Sequence, residues 1–316
     1  MAIIDDSTAR YYGAIRTADT LKNMSNSESV FEIGSISKVF TSTLLAHASV
    51  EGGINPDEPI RNYLETEMKD SAEFTFMQLS NHTSGLPRLP PGFIWNMLLN
   101  TSNPYAYFGE EDLITYLRED VELEYEPGEE HAYSNLGAGL LGYALEQAEG
   151  ASYEELLNRH IFRPLGMTRS TTVQEGIQQY LVPGLDKRGR ETSNWDLNVL
   201  QGAGAIYSTA HDLSRFALAN FDPSNEVYAL ERQTTFSNEE ENLEIAMGWI
   251  ISTRSSGDRW YWHNGGTGGY RTIMVISPEN NRGVIVLSNI SAGHSEAAEI
   301  DRLGFDLMGS LSDTDQ

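Results

Sequence analysis

The hydrophobic pattern of this chain changes period twice, so that strand-like ends enclose a helical middle. Residues 9–15 have the pattern of a strand, whereas apolar residues between positions 56 and 232 recur mostly at helical spacing. A last helical pattern covers residues 295–308. Before it come four strand-like segments separated by turn residues: 247–253, 259–264, 270–277 and 282–289.

These segments predict the fold class and the division into domains. The four final segments, joined by short turns, indicate an antiparallel meander. We predict an α/β fold in which an antiparallel sheet is flanked by helices and a mostly helical second domain is inserted. The sheet domain is discontinuous and consists of residues 1–55 and 236–316, whereas residues 56–235 form the helical domain.

The charge of the chain excludes several classes of partner. Forty-six acidic and 21 basic residues give a net charge of −25. A nucleic-acid-binding protein needs a basic surface, and the same negative field repels anionic membranes. Two interpretations stay open, an adaptation to high salt and an ordinary acidic protein. We expect a small-molecule or short-peptide substrate as the partner, and we favour a monomer.

The sequence also limits membrane insertion, cysteine chemistry and location. No stretch of 18 uninterrupted apolar residues occurs, so we expect no transmembrane helix. The absence of cysteine excludes disulfides, thiolate metal sites and a cysteine nucleophile. The first residues do not resemble a signal peptide. We expect a periplasmic or extracellular protein if an export signal has been removed, and a cytoplasmic one otherwise.

A serine and a lysine three residues apart begin a predicted helix. Ser35-Ile-Ser-Lys38 precedes apolar residues at helical spacing, so both side chains lie on one helix face. The helix dipole and the free N–H groups at this end favour a serine alkoxide and then an oxyanion. Four-residue patterns of this kind also arise by chance, so Ser35 is a candidate nucleophile only in combination with other groups.

A tyrosine at a second helix start is a candidate base. Tyr133-Ser-Asn135 follows a Pro-Gly turn and precedes a predicted helix. A free phenol, with a pKa of about 10, is almost fully protonated at neutral pH. A Lys38 ammonium nearby would favour the phenolate, so this role requires Tyr133 to lie beside Ser35 and Lys38.

A glycine-rich strand end supplies a third segment. His263-Asn-Gly265-Gly266 lies where a predicted strand ends, within WYWHNGGTGGY. Glycines let a substrate backbone approach the strand closely, and the N–H groups there can bind an oxyanion. Taken alone, the segment also fits an ordinary glycine-rich hairpin.

The three segments together resemble a known family. SISK, YSN and HNG occur in this order, separated by 98 and then 130 residues, with LSNHTSGLP, PGEEHAYSN, IFRPLGM and GAGAIYSTAHDL around them. This combination resembles the class C β-lactamases and the penicillin-binding-protein-like serine hydrolases. That superfamily also includes DD-peptidases, D-aminopeptidases and class VIII carboxylesterases. The resemblance covers residues 9–308 and implies a β-lactamase-like fold.

The resemblance implies catalytic roles for four of these residues. Ser35 would attack the acyl carbon and form an acyl-enzyme. Lys38 and Tyr133 would take its proton and return it to the leaving group. Asn135 would hold the substrate amide or carbonyl. The implied mechanism needs neither a metal ion nor an organic cofactor.

The third motif is implied to bind substrate and the oxyanion. Backbone N–H groups of Ser35 and Gly266 would form the oxyanion hole. His263, Asn264 and Gly265 would contribute the rest of this wall of the site.

Two features depart from the family pattern. Class C β-lactamases and DD-peptidases resemble Lys-Thr-Gly at the third motif, whereas His263 is more usual among esterase and D-aminopeptidase-like relatives. We therefore expect a short-chain carboxylesterase, with a β-lactamase or a D-amino-acid-specific peptidase or amidase as alternatives. An alternative of another class is a penicillin-binding sensor that is acylated without turnover. Relatives also have a helix and one more strand before the segment matching 9–15, so we expect a shortened sheet, or a partner chain or a loop that covers the gap.

Two further segments bear on substrate and mechanism. Gly293-His-Ser295 resembles an α/β-hydrolase nucleophile elbow, but no histidine follows Ser295, so the required order fails. The histidines lack the H-E-x-x-H spacing of a zinc hydrolase. The segment 87–107 is expected to form an apolar wall for a neutral acyl chain with Phe93, Trp95, Tyr105 and Tyr107.

Overall fold

The computed structural model describes residues 1–18, 20–69, 72–90, 92–93 and 102–312. An antiparallel sheet of eight strands lies at its centre, and two pairs of short strands lie outside that sheet. In chain order the strands are β1 (Ala2–Asp5), β2 (Thr8–Tyr11), β3 (Ala14–Thr17), β4 (Thr20–Asn23), β5 (Val30–Glu32), β6 (Tyr207–Thr209), β7 (Phe236–Asn238), β8 (Leu243–Ile245), β9 (Ile250–Thr253), β10 (Arg259–Gly266), β11 (Arg271–Ser277) and β12 (Arg282–Ser288).

The main sheet has the strand order β2-β1-β12-β11-β10-β9-β8-β7. Strands β9 to β12 form the predicted meander, whose turns contain Gly257 and Asn281, both with positive φ as tight turns require. The two ends of the chain meet in this sheet, where Ile3 lies opposite Val284. The predicted fold class, an antiparallel sheet with helices in a β-lactamase-like arrangement, is confirmed.

The N-terminal strands differ from the prediction. Residues 9–15, predicted as one strand, are divided between β2 and β3. The strand that the family pattern places before this segment is present as β1, which pairs with β12. The prediction of a shortened sheet is therefore wrong, because four residues are enough for a strand that pairs with β12 on one side and β2 on the other.

Most helices of the described residues lie between β5 and β7. Two of these helices begin at N-cap residues, Thr75 and Thr209, as their sequence predicts. The two side chains accept hydrogen bonds from Gln78 N and Asp212 N. The α-helices are α1 (Ser37–Val50), α2 (Phe76–Ser80), α3 (Glu110–Thr115), α4 (Asn135–Glu149), α5 (Tyr153–Leu157), α6 (Arg163–Leu165), α7 (Ala210–Ala219), α8 (Glu226–Glu231) and α9 (Ala298–Ser312). The 3-10 turns are Gly34–Ile36, Ile60–Asn62, Asn198–Ala203 and Pro278–Asn280, and the π turns are Tyr116–Asp120 and Asn158–Phe162.

Apolar side chains cover both faces of the sheet. On one face Met308 of α9 packs with Trp260 and Ile273. The opposite face carries Met274 and Ile285 and belongs to the main core, which also contains buried residues of α1, α4 and α7. This second face is the one against which the N-terminal end of α1 is placed.

The predicted domain boundaries stay a prediction. Helix α7 falls within the range assigned to the helical domain, yet it packs on β1 and β12 of the sheet. One continuous apolar cluster contains side chains from both predicted ranges. Among the described residues, no helix is both long enough and apolar enough to span a bilayer.

Candidate active site

The turn that carries Ser35 connects β5 to α1. Gly34 has a φ of +54°, in the left-handed region that favours glycine. A Cβ atom at Gly34 would lie 2.7 Å from the backbone N of Gly266. The backbone before Ser35 therefore packs directly on the end of β10, which brings segments from the two ends of the chain together.

A second close approach fixes the same turn to the sheet. A Cβ atom at Gly265 would lie only 1.9 Å from the carbonyl oxygen of Ile33, so this position accepts no larger residue without a backbone shift. Thr272 of β11 donates a 2.9 Å hydrogen bond to that carbonyl. These contacts explain why a glycine-rich strand end is needed behind Ser35.

The three predicted catalytic side chains meet at Ser35 Oγ. Lys38 Nζ lies 3.1 Å from this oxygen, and Tyr133 donates a 2.8 Å hydrogen bond to it. Lys38 is one helical turn after Ser35, and Tyr133 directly precedes Ser134, the N-cap of α4. Lys38 also donates a 2.6 Å hydrogen bond to the carbonyl of Ala203. The nucleophile therefore lies within reach of two groups that can move its proton.

Burial sets the protonation state of both groups. Lys38 is 2% exposed, and burial, followed by the charge of Arg88, lowers its pKa well below the usual value. Burial raises the pKa of Tyr133 to about 12, although the hydrogen bond to Ser35 acts in the opposite direction. This low polarity opposes the predicted ammonium and phenolate, because it disfavours the charged form of each side chain, and the protonation states stay a prediction.

The neutral forms suggest a division of roles. A neutral amine has a lone pair for the Ser35 hydroxyl and still has N–H groups to donate to Ala203. The Tyr133 phenol keeps a proton that it can donate to a leaving group. The contacts place both groups within reach of Ser35 Oγ, and the directions of the two pKa shifts are compatible with Lys38 as the base and Tyr133 as the acid.

Side chains of β10 alternate between the site and the opposite face of the sheet. The ring of His263, which is 3% exposed, lies 6.3 Å from the ring of Tyr133. The next side chain, Asn264, donates a 3.1 Å hydrogen bond to Asp301 of α9. The prediction that the Asn264 side chain lies in the site is therefore wrong, because successive strand residues face opposite sides of the sheet.

His263 is a neutral ring in this environment. Burial disfavours the charged ring and lowers its pKa to about 3. Its Nδ1 lies 2.6 Å from the carbonyl oxygen of Asn264. Because a carbonyl only accepts, Nδ1 must carry the proton, and Nε2 is left as an acceptor.

A cavity of about 30 Å³ opens beside the nucleophile. Ser35 and Gly266, the predicted oxyanion donors, both line it, as does Asn135. The side-chain amide of Asn135 donates to the hydroxyl of Tyr105 at 2.9 Å. A volume of this size holds about one or two water molecules, so the space directly beside Ser35 is narrow.

The segment 87–107 contributes only part of the expected apolar wall. Phe93 and Tyr105 are buried with their rings 4.8 Å apart, and Tyr105 lines the cavity. Tyr107 is 69% exposed, and Trp95 lies outside the described residues. Trp195, which the sequence analysis did not select, completes this wall with its ring 5.4 Å from that of Tyr105.

Arg88 is a cation near the site that no sequence motif indicated. Its guanidinium lies 4.9 Å from the centre of the Tyr133 ring, and the residue is exposed. Its backbone carbonyl accepts a 3.0 Å hydrogen bond from Asn135 N, which fixes the loop over the start of α4. Only this tertiary contact reveals Arg88, since an arginine in a loop carries no signal of its own.

A buried carboxyl group supports the cavity from behind. Glu32 of β5 is 4% exposed, and burial raises its pKa, although hydrogen bonds from its neighbours oppose the shift. It accepts a 2.7 Å hydrogen bond from Trp195 N and a 2.5 Å hydrogen bond from Thr267 Oγ1. Glu32 therefore links two walls of the cavity, and the sequence did not predict this role because a single acidic residue in a strand forms no motif.

Comparisons with known proteins show the family to which this chain belongs. The family model described as Beta-lactamase matches residues 1–308. The D-alanyl-D-alanine-carboxypeptidase/endopeptidase AmpH of Escherichia coli (strain K12) is 27% identical, with a match that covers 88% of this chain and 75% of that protein. A penicillin-binding protein of Bacillus subtilis (strain 168) is 26% identical over 85% of this chain, which spans only 63% of the relative.

Two solved structures are similar in fold. An octameric penicillin-binding protein homologue from Pyrococcus abyssi has a TM-score of 0.78 at 25% identity, covering 98% of this chain and 72% of that chain. A class C β-lactamase has a TM-score of 0.80 at 20% identity, covering 98% and 90%. The octamer leaves the oligomeric state of this chain open. Since the family model matches nearly the whole sequence and a serine, a lysine and a tyrosine meet at its centre, this chain belongs to the Beta-lactamase family of serine hydrolases.

Proposed function

We propose that the protein hydrolyses small, uncharged acyl substrates and prefers short-chain esters to β-lactams. The observation that carries this proposal is His263, buried beside Tyr133. Burial lowers its pKa to about 3, so this position supplies no positive charge for a substrate carboxylate at neutral pH. Penicillins and cephalosporins carry such a carboxylate, whereas simple esters do not.

The size of the cavity and the charge of the chain support the same preference. The space of about 30 Å³ beside Ser35 favours a small acyl group. The net charge of −25 slows the approach of anionic substrates at low ionic strength. A neutral ester avoids both the missing cation and the repulsive field.

In the proposed reaction, Lys38 takes the hydroxyl proton as Ser35 attacks the acyl carbon. The ester C–O bond then breaks, and Tyr133 donates a proton to the departing alkoxide and recovers one from Lys38. Water attacks the acyl-enzyme in the second step, which releases the carboxylic acid and restores Ser35. N–H groups of Ser35 and Gly266 stabilise the oxyanion in both steps.

A peptide ending in D-alanine is the second candidate substrate. The Escherichia coli relative is named a D-alanyl-D-alanine-carboxypeptidase/endopeptidase. Arg88 could supply the charge that His263 lacks, because its guanidinium is exposed and lies 4.9 Å from the centre of the Tyr133 ring. The carboxylate of such a peptide would then be bound from the loop side of the cavity.

One substrate panel separates these candidates. The panel contains p-nitrophenyl acetate, a penicillin, a chromogenic cephalosporin and a peptide ending in D-alanyl-D-alanine, with Ser35→Ala as the inactive control. We expect the highest kcat/KM for the ester and weak or absent cephalosporin hydrolysis. A kcat/KM for penicillin well above that for the ester would overturn the proposal. A single burst without further turnover on every substrate would instead support the acylated sensor.

Two variants test which group recognises substrate charge. His263→Lys should shift the preference toward β-lactams, because the longer side chain can extend from its place beside Tyr133 and carry its ammonium toward the substrate. Arg88→Gln should lower kcat/KM for the D-alanyl peptide more than for the ester. Equal losses on both substrates would show that Arg88 supports the site without binding the carboxylate.

A further inference from the structure

Three side chains that can bind metal ions converge at the end of α1 opposite to Ser35. They are His47, Glu51 and His160, and their ligand atoms all lie within 4.8 Å of one another. His47 and Glu51 are four residues apart, so they share one side of the helix end. His160 comes from the π turn Asn158–Phe162, which packs against α1. The sequence gives no sign of this cluster, because its third member lies more than a hundred positions away.

The distances are close to those that a metal site requires. His160 Nδ1 lies 3.6 Å from Glu51 Oε1, and the rings of His47 and His160 have their centres 5.1 Å apart. Zinc-ligand bonds of about 2.1 Å place neighbouring donor atoms of a tetrahedral site roughly 3.4 Å apart. Rotation of side chains alone can therefore bring the donors together, since the Glu51 side chain is 60% exposed and free to move.

Charge at this end of α1 favours a cation. The carbonyl groups that end a helix carry partial negative charge, and the Glu51 carboxylate adds a full one. The His160 side chain is 14% exposed, which shields one side of the cluster while Glu51 leaves the other side open to water. The open side can supply a water molecule as the fourth ligand.

We propose that His47, Glu51 and His160 bind one divalent transition-metal ion of the zinc class. Two imidazole nitrogens and one carboxylate oxygen form a ligand set that suits zinc and its neighbours better than calcium or magnesium. The twelve positions between Ser35 and His47 correspond to roughly 18 Å of helix, so the ion does not take part in acyl transfer. It links the end of α1 to the segment after α5 and thereby stabilises the helix that begins at the nucleophile.

The alternative is a hydrogen-bonded pair of histidines with a nearby carboxylate and no metal affinity. The two cases differ in stoichiometry and in their response to Zn²⁺. The test uses the full chain without a histidine tag, after dialysis against a chelator, and titrates Zn²⁺ in the presence of millimolar Mg²⁺. Mg²⁺ occupies the general acidic sites of a chain with a net charge of −25. Calorimetry gives the number of Zn²⁺ ions bound, and thermal unfolding gives the change in Tm.

We expect one Zn²⁺ ion per chain, and a Tm that rises by roughly 4 °C when free Zn²⁺ is a hundredfold above its Kd. His160→Ala and Glu51→Gln should each weaken binding at least tenfold. The Glu51 side chain is exposed and glutamine has nearly the same shape, so Glu51→Gln removes a metal ligand without disturbing the fold. His294→Ala, which removes a histidine outside the cluster, should bind Zn²⁺ as the wild type does. Absence of stoichiometric binding, or equal affinity in all three variants, would overturn the proposal.

Discussion

Replacing Tyr133 with phenylalanine removes one oxygen atom from the site and keeps the surrounding contacts. The ring packs 4.6 Å from that of His82, and Lys38 Nζ lies 4.9 Å from its centre, so both contacts survive the change. The hydroxyl that donates to Ser35 Oγ at 2.8 Å is lost. Ser35 keeps its 3.1 Å contact with Lys38. The variant therefore separates proton donation from the integrity of the fold.

The size of the effect follows from the protonation of Tyr133. Because burial raises its pKa to about 12, the phenol holds its proton at neutral pH and its whole contribution as an acid is removed. A positioned acid contributes about 10²- to 10⁴-fold to a rate, or roughly 3 to 5 kcal/mol of activation free energy. The free energy of unfolding should change by about 1 kcal/mol or less, because no buried donor is left without a partner.

Single-turnover acylation by an alkyl ester such as ethyl butyrate, whose alkoxide needs a proton to leave, together with thermal unfolding, measures both quantities. We expect kcat to fall by the stated factor while KM and Tm stay close to the wild-type values. Tyr107→Phe makes the same chemical change at a side chain that is 69% exposed and serves as the matched control. An acylation rate above one tenth of the wild-type rate would refute the role of Tyr133 as the acid.

Four further predictions concern pH, the sheet, a buried acid and salt. Because burial lowers the pKa of Lys38, the acylation rate should rise with pH as Lys38 loses its proton and then stay level to about pH 10. An inflection of the rate near pH 6.5 that disappears in His263→Gln would contradict this, because it would show that His263 titrates instead. Asn264→Ala removes the hydrogen bond to Asp301, so the free energy of unfolding measured by urea denaturation should fall by about 1 kcal/mol and kcat/KM should stay within about twofold. A large loss of activity would show that Asn264 acts in the site after all. Burial raises the pKa of Glu231 from 4.5 to about 8, so between these pH values the native state binds more protons than the unfolded state. The free energy of unfolding should therefore fall as the pH rises through this range, and Glu231→Gln should lack this pH dependence. Finally, Tm should increase from low salt to about 1 M salt as charge repulsion is screened, and a flat or falling curve would remove the idea of salt adaptation.

The parts of the site that sequence could predict are those set by local spacing. Ser35 and Lys38 lie within one helical turn of each other, so their spacing alone predicts that they meet. His263 lies at the end of a strand whose period-2 alternation can be recognised in the sequence. The meander could be predicted for the same reason, because its turns carry Gly257 and Asn281. The same alternation could have placed Asn264 on the opposite face, had the period been applied one residue further.

Protonation states and tertiary contacts could not be read from the sequence. The neutral forms of Lys38 and Tyr133 depend on how many atoms surround them, which only the folded chain determines. Arg88 and Glu32 act through contacts with segments that are distant in sequence. The strand β1 was missed because four residues carry too little pattern to predict a strand that depends on pairing with β12.

Thr272 holds the carbonyl of Ile33 across 239 positions of sequence, and Thr267 reaches Glu32 across 235. During synthesis, Ser35 leaves the ribosome well before the strands that secure its turn, which follow it by more than 220 residues. The turn that carries the nucleophile therefore lacks these contacts until β10 and β11 have emerged. A chain that stops before Gly266 carries Ser35 without the predicted oxyanion donor, so we expect hydrolytic activity only once β10 and β11 have paired.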